Sequence, residues 1–145
     1  FKIKKGESLG IIGISGSGKS SIANLLNRFY EPDKGIIQIN GTDINKYDLQ
    51  KLRSMIGYVF QDHFLFSGSL RDNLTLFNNQ ITDTDILLIA KKIDCIDLIY
   101  SLPGGLNFKV SERGDNLSVG QRNLFCIIRC LLYDHQIIVF DEPSS

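Results

Sequence analysis

The sequence has no net charge, no long apolar run and few cysteines, and each of these absences argues against a class of protein. Sixteen basic residues balance sixteen acidic ones, so the composition offers no electrostatic footprint for nucleic acid, and no such partner is expected. No stretch approaches the ~20 consecutive apolar residues that cross a bilayer, and the first residues do not resemble a signal peptide. No histidine or further cysteine nearby completes a metal site with Cys95, Cys126 and Cys130, so we expect buried, reduced thiols.

What the chain does contain is a phosphate-binding pattern. The segment Gly13 to Ser20 matches G-x-x-x-x-G-K-S. The apolar run Leu9 to Ile12 before it predicts a buried strand, and a helix is predicted after it from the spacing of Ile22, Leu25, Leu26 and Phe29. Glycines allow backbone N–H groups to curl around a polyphosphate at the positive end of a helix. Lys19 can then reach the β- and γ-phosphates, and the Ser20 hydroxyl can coordinate magnesium.

The remaining chain predicts a mixture of short strands and helices, without internal repeats or a low-complexity linker. At 145 residues, 43% of them hydrophobic, it has enough material for one core. Strands are predicted at Ile36 to Ile39, closed by Asn40-Gly41, at Met55 to Phe60, ending at Gln61, and at Ile137 to Phe140. Helices are predicted at Asp48 to Arg53, from Ser69 with a possible capping box at Asp72, at Thr82 to Ile93, at Cys95 to Leu102 and at Ser118 to about Leu132. The apolar face of the last helix is predicted to be Leu124, Ile127, Ile128 and Leu131.

Two acidic residues, Asp141 and Glu142, follow the last predicted strand. Ligands bind at the carboxyl edge of open parallel sheets, so Asp141 is predicted to complete the magnesium site and Glu142 to polarise an attacking water as general base. Taken alone, the two carboxylates are better explained as the cap of a turn before Pro143, and the presence of Lys19 and Ser20 favours the magnesium site.

The segment Leu117 to Gln121 opens the longest predicted helix. Ser118 is a good N-cap and Gln121 completes a capping box. Capping does not require Gly120, which lowers helix propensity, but a small residue there would let a phosphate approach the exposed N–H groups. The helix start is therefore either a cap alone or a second anion site that needs a partner chain.

Taken together, GISGSGKS, Gln61 after an apolar strand, LSVGQ and IIVFDE resemble the nucleotide-binding domain of an ATP-binding cassette (ABC) transporter. The stretches Leu52 to Asp62 and Leu65 to Leu74 are similar to exporter-type domains. The stretches Leu102 to Leu106 and Asn116 to Arg122 most resemble second cassettes of the multidrug-resistance-associated (C) subfamily. Val119 stands where the signature more usually has a second glycine, a variation that this subfamily tolerates.

The resemblance implies an α/β fold, a P-loop NTPase core with a mainly parallel sheet and an inserted α-helical signature subdomain. The 145 residues would be one partial domain, with the core at 1–66 and 133–145 and the helical subdomain at about 67–132. The aromatic residue that stacks on adenine and the switch histidine of this family would lie outside the chain. We therefore expect a fragment of a cassette that is inactive on its own.

The resemblance also implies a mechanism in which two cassettes pack head to tail around ATP and drive export through transmembrane domains, with this domain on the cytoplasmic side. The implied nucleotide-binding residues are Gly13, Ser15, Gly16, Ser17, Gly18, Lys19, Ser20, Ser21 and Gln61. Magnesium would be organised by Ser20, Gln61 and, through water, Asp141, and the implied catalytic residues are Glu142, Lys19 and Gln61. The signature residues that would contact ATP in trans are Ser118, Val119, Gly120 and Gln121.

Two other functions share these motifs. A non-transport ABC ATPase, of the kind that serves translation or DNA repair, would carry the same residues, although the neutral charge and the exporter-like segment after Gln61 argue against it. A nucleotide-binding module without turnover of its own is the second alternative, and it applies to the 145 residues in isolation.

Overall fold

The computed structural model of the chain describes residues 1–14 and 16–141. These residues form two compact units, Phe1–Leu52 and a second unit that begins at Arg53. This division by contacts differs from the predicted division into a core and an inserted helical subdomain, which stays a prediction. Each unit is described by itself below.

The first unit contains helix α1 (Lys19–Leu26), a hairpin of strands β1 (Gln38–Ile39) and β2 (Thr42–Asp43), and the start of helix α2 (Leu49–Ser54). The turn between the strands is Asn40-Gly41, with φ angles of 52° and 78°, and such a pair of positive angles is typical of a two-residue type I′ turn. The predicted turn is confirmed, although the strand before it is only two residues long.

The predicted buried strand at Leu9 to Ile12 is wrong. These residues form no regular secondary structure, and Ile12 is 99% exposed. A strand requires hydrogen-bonding neighbours, and none of the strands in the described part of the chain pairs with this segment. A run of apolar residues is therefore not sufficient to predict a buried strand here.

Helix α1 is shorter than predicted. It ends at Leu26, with Asn27 as C-cap, and the positive φ of Arg28 (51°) turns the chain out of the helix. Phe29 consequently lies outside α1 and is half exposed. The buried residue of the helix is Ala23 rather than the larger apolar residues that the spacing selected.

A parallel pair of strands organises the second unit. Strand β3 (Ile56–Val59) pairs with β6 (Ile137–Phe140) in the register Ile56↔Ile137 to Val59↔Phe140. The bounds of β6 agree with the prediction, and β3 is one residue shorter at each end than predicted. The other pairing in this unit is antiparallel, between β4 (Gly68–Ser69) and β5 (Lys109–Val110). Strand β6 is only partly buried, because β3 is the only neighbour with which it pairs among residues 1–14 and 16–141.

The hydrophobic core of the second unit lies among four helices. These are α3 (Leu70–Thr75), α4 (Asp83–Lys92), α5 (Ile96–Ser101) and α6 (Val119–Leu131), and all four confirm predicted helices with trimmed ends. Phe125 and Ile128 of α6 are fully buried, whereas the predicted face included Ile127 and Leu131, which are only partly buried. Helix α6 packs against α3 and α4 and also against β3. Its buried residues therefore do not follow the single apolar stripe that an amphipathic helix with one covered face would show.

Among the described residues, no helix combines the length and the apolar character that crossing a bilayer requires.

Candidate functional site

The phosphate-loop segment of the first unit is a tight turn that leads into α1. The Ser17 N–H donates to the Ile14 carbonyl over 3.1 Å. A Cβ added at Gly13 would lie 2.5 Å from Ser17 Oγ and 3.2 Å from Ser17 Cβ, so a larger residue would force the Ser17 side chain to move, and glycine avoids this contact. Gly18 is the N-cap of α1 at φ 92°, a left-handed conformation that glycine adopts without strain. Ser15, a predicted binding residue, lies outside the described residues.

Lys19 crosses back over this loop. Its Nζ donates to the carbonyl oxygens of Gly13, at 2.9 Å, and Ile14, at 3.1 Å. No side chain caps α1 at Gly18, and no acidic residue lies in the first turn of the helix. The positive end of the helix dipole and the Lys19 ammonium therefore lie in one short segment without a nearby acid on α1, an arrangement that favours anions. Ser20 and Ser21 lie in this first turn with exposed side chains.

In the second unit, Gln61 and Asp141 follow the two paired parallel strands. Gln61 comes two residues after β3 and is exposed, and Asp141 comes directly after β6. The Asp141 N–H donates to the Val59 carbonyl over 3.0 Å, which continues the ladder by one residue. Both residues thus lie at the carboxyl edge of the β3–β6 pair. Glu142, the predicted general base, lies outside the described residues.

Tyr58 of β3 is a polar neighbour of Asp141 that the sequence analysis missed. Its hydroxyl donates a hydrogen bond to Asp141 Oδ2 over 3.0 Å. Burial and the adjacent Asp141 carboxylate raise the pKa of Tyr58 to about 12, so the hydroxyl remains a donor at neutral pH. The two residues are 83 positions apart, and only the strand register could have pointed to this contact.

The LSVGQ segment begins α6 with a complete capping box. The Gln121 N–H donates to Ser118 Oγ over 3.2 Å, and the Ser118 N–H donates to Gln121 Oε1 over 2.8 Å. The predicted cap is confirmed. Val119 is 54% exposed, and a Cβ added at Gly120 would meet no atom within 4 Å. Nothing in the described chain therefore demands a glycine at position 120.

The loop before α6 is held by Arg122, to which the sequence analysis assigned no role. Its Nη1 donates to the Leu117 carbonyl over 2.8 Å and to the Gly114 carbonyl over 3.2 Å. Asn116 adds a bond from Nδ2 to the Lys109 carbonyl over 2.8 Å. These hydrogen bonds hold the backbone that leads into Ser118, and Arg122 connects the first turn of α6 to that loop. Both residues belong to the stretch Asn116 to Arg122, whose resemblance to the C subfamily was the only sequence feature that could have pointed to them.

The three cysteines carry free thiols. Burial raises the pKa of each thiol, which favours the unreactive protonated form. Within the described ranges, no three histidine, cysteine, aspartate or glutamate side chains cluster in a way that could hold a metal ion.

Comparison with known proteins identifies relatives over the whole chain. The family model described as "ABC transporter" matches residues 1–145. "ABC transporter C family member 3" of Dictyostelium discoideum is 46% identical over 99% of this chain, which covers 10% of that protein. "Probable multidrug resistance ABC transporter ATP-binding/permease protein YheH" of Bacillus subtilis is 40% identical over the full chain and 22% of its own length.

A solved structure agrees with these relatives. The "Structure of a bacterial Atm1-family ABC exporter with ATP bound" matches 91% of this chain and 23% of its own chain, with a TM-score of 0.84 and 37% identity. The present chain thus spans between a tenth and about a quarter of the length of these proteins.

Proposed function

Because the chain belongs to the ABC transporter family and corresponds to its ATP-binding domain, we propose that it binds ATP with magnesium and takes part in ATP hydrolysis that powers export across a membrane. Two relatives, 46% and 40% identical to this chain, are named as an ABC transporter and as a probable multidrug resistance ABC transporter. These names favour transport over the ABC ATPases of translation or DNA repair.

The phosphate loop of the first unit carries this proposal. The Lys19 ammonium lies 2.9 Å from the Gly13 carbonyl, and the first turn of α1 contains no acidic residue. Phosphate oxygens are charged acceptors, so they form stronger hydrogen bonds with an ammonium than amide carbonyls do. We propose that Lys19 bonds the β- and γ-phosphates, and that the N–H groups and hydroxyls of Gly13 and Ser15 to Ser21 surround them.

The residues proposed for magnesium offer the donor chemistry that this ion prefers. Ser20 supplies a hydroxyl, Gln61 an amide oxygen and Asp141 a carboxylate, and magnesium binds hard oxygen ligands in preference to sulfur or imidazole. Asp141 extends the ladder of β6 and its carboxylate accepts from the Tyr58 hydroxyl, so its oxygen atoms have a defined position at the strand edge. These residues fit a magnesium ion, which when bound would neutralise charge on the polyphosphate.

Hydrolysis is assigned to Glu142 from its place beside Asp141 in the motif IIVFDE. A carboxylate at this position can accept a proton from the water that attacks the γ-phosphate. Gln61 would contribute to orienting this water and the metal, and the segment after it would transmit the presence of ATP to the membrane domain.

The signature helix is assigned to a second ATP molecule, held by a partner cassette in a head-to-tail dimer. The helix start formed by Ser118, Val119, Gly120 and Gln121 is capped, and a Cβ added at Gly120 would meet no atom within 4 Å. A phosphate can approach the N–H groups of such a helix closely. The parent protein would be a membrane transporter with this domain on the cytoplasmic side, in contact with its transmembrane domains.

The proposal is tested by Lys19→Ala in the full-length protein. Loss of the charge-assisted contact should weaken ATP binding by about 1.5–3 kcal/mol and should abolish magnesium-dependent hydrolysis. Binding is measured by titration with a fluorescent ATP analogue, and hydrolysis by phosphate release. Lys34→Ala removes an exposed lysine of the same unit and should change neither quantity. Equal ATP affinities for Lys19→Ala and the wild type would contradict the proposal.

A further inference from the structure

Tyr58 contacts the proposed magnesium site although it belongs to none of the motifs. Its hydroxyl donates to Asp141 Oδ2 over 3.0 Å. In the parallel register Tyr58 lies opposite Val139, and Asp141 follows Val139 by two residues. Side chains two residues apart on a strand share a face, so Tyr58 and Asp141 lie on the same face of the pair. Two residues span roughly 6.6 Å along a strand, a distance that the ring and hydroxyl of a tyrosine can bridge.

Both the backbone and the side chain of Asp141 are thus hydrogen-bonded to β3. The Asp141 N–H bonds the Val59 carbonyl, and the carboxylate bonds the neighbouring Tyr58. The terminal torsion of an aspartate is broad, so its carboxylate takes the orientation that its hydrogen bonds select. The Tyr58 ring is itself supported by Phe60, with ring centroids 4.2 Å apart at an interplanar angle of 34°. Phe60 therefore restricts the movement of the group that orients Asp141.

We propose that Tyr58 is a positioning residue for the nucleotide-bound metal, because its hydroxyl holds the Asp141 carboxylate in the orientation that the ion requires. This inference rests on the proposed function, and in particular on the metal role of Asp141. Hydrogen bonds from a second layer of residues to metal ligands typically change metal affinity by about 10–100-fold. Tyr58 is such a partner, and a phenylalanine at the same position would keep the ring contact while losing the hydrogen bond.

The test is Tyr58→Phe in the full-length protein, with Mn²⁺ as a paramagnetic substitute for magnesium and a non-hydrolysable ATP analogue as the nucleotide. Electron paramagnetic resonance measures the affinity of Mn²⁺ for the protein–nucleotide complex. We expect about tenfold weaker Mn²⁺ binding in the variant. Nucleotide affinity in the presence of a chelator should be unchanged, because Tyr58 acts on the metal ligand and not on the phosphate loop.

Tyr133→Phe provides the matched control. Both tyrosines line a cavity of about 330 Å³ in the second unit, but the Tyr133 hydroxyl donates to the Thr75 carbonyl over 2.6 Å. Its loss should lower the thermal midpoint and leave Mn²⁺ affinity at the wild-type value. Equal losses of Mn²⁺ affinity in Tyr133→Phe and Tyr58→Phe would indicate a general packing effect and would overturn the inference.

Asp141→Asn separates a failure of the inference from a failure of the proposed function. If Asp141 is the metal residue, this variant should weaken Mn²⁺ binding, and adding Tyr58→Phe to it should cause no further loss, because Tyr58 is proposed to act only through the Asp141 carboxylate. Weak binding in Asp141→Asn with wild-type binding in Tyr58→Phe would overturn the inference and leave the proposed function intact. Wild-type binding in Asp141→Asn would remove the proposed metal role and the inference with it.

Discussion

At the scale of single residues, the phosphate loop depends on one ammonium group and one missing side chain. Lys19 spans the loop through two carbonyl contacts, and this places a positive charge within a segment whose other members are neutral. At Gly13, an added Cβ would force the Ser17 side chain to move. The positive φ of Gly18 would also strain most other residues. Single positions therefore determine both the shape of the loop and its preference for anions.

The proposed division between binding and chemistry predicts the behaviour of Glu142→Gln. Glutamine keeps the size of the side chain but cannot accept a proton, so turnover in a complete cassette should fall by roughly 10²-fold or more while ATP affinity is unchanged. Phosphate release and nucleotide titration measure the two quantities. The ATP-bound dimer should also persist long enough to be separated by size-exclusion chromatography. Normal hydrolysis in this variant would mean that Glu142 only caps a turn.

At the scale of elements, the start of α6 carries two requirements that differ in their chemistry. The capping box between Ser118 and Gln121 satisfies N–H groups at the helix start and needs only side-chain oxygen atoms. Capping leaves the identity of residue 120 open. Binding a phosphate from a partner would instead require the absence of negative charge and of bulk at the same place. Substitutions at Ser118 and Gly120 can therefore separate the two roles.

Ser118→Asp keeps the cap and adds a charge. Aspartate is as good an N-cap as serine and suits the helix dipole, so thermal stability should be nearly unchanged. A carboxylate facing the γ-phosphate of a partner should abolish ATP-dependent dimerisation, measured by size-exclusion chromatography of complete cassettes. Ser118→Asn is the matched control because it caps equally well without charge, and it should retain more dimer. Full dimerisation of Ser118→Asp would refute the role in trans.

Gly120→Ala is expected to have opposite effects on stability and on function. Alanine favours a helix over glycine by about 0.5–1 kcal/mol, and its Cβ would meet no atom within 4 Å, so the unfolding midpoint should rise. The added methyl group would stand between the helix N–H groups and a partner's phosphate, so ATP-dependent dimerisation should weaken. Calorimetry and chromatography measure the two effects. A variant that is stabilised and dimerises like the wild type would show that the glycine has no role in trans.

At the scale of the whole molecule, a half-buried cation connects distant segments of the second unit. Arg129 of α6 donates from Nε to the Asn73 carbonyl over 2.8 Å and from Nη1 to the Phe64 carbonyl over 3.1 Å. Burial lowers the pKa of Arg129, although a guanidinium remains charged at neutral pH. One side chain thus joins α6 to α3 and to the segment that follows β3. Its acceptors are the backbone carbonyls of Asn73 and Phe64, which lose a donor if the guanidinium is removed.

Replacing this arginine should destabilise the unit as a whole. Arg129→Met keeps much of the apolar stem and removes the donors, so the free energy of unfolding should fall by about 2–4 kcal/mol. Urea denaturation of a complete cassette, followed by tyrosine fluorescence, measures the change. Lys109→Met removes an exposed cation from β5 and should shift the midpoint little. Comparable small shifts for both variants would show that the contacts of Arg129 contribute little.

Much of the local structure could be predicted because its causes lie within a few residues. The Asn40-Gly41 turn, the cap at Ser118 and the strand Ile137–Phe140 all agree with the structure. Turn conformations and caps depend on side chains that bond the adjacent backbone, so short windows contain the necessary information. A short apolar run was a less reliable guide, since it predicted a buried strand at Leu9 to Ile12 where the chain is irregular and exposed.

By itself, the sequence determined the phosphate loop, the helix caps and the family, because each is a matter of residue types at fixed short spacings. Only the tertiary structure decided that β3 pairs with β6, that Tyr58 bonds Asp141 and that Arg129 bridges to Asn73. These contacts join residues that are 56 to 83 positions apart. The sequence contains many other side chains that could form the same kinds of hydrogen bond with these partners. Strand register and helix packing select among them, and neither is encoded in a local pattern.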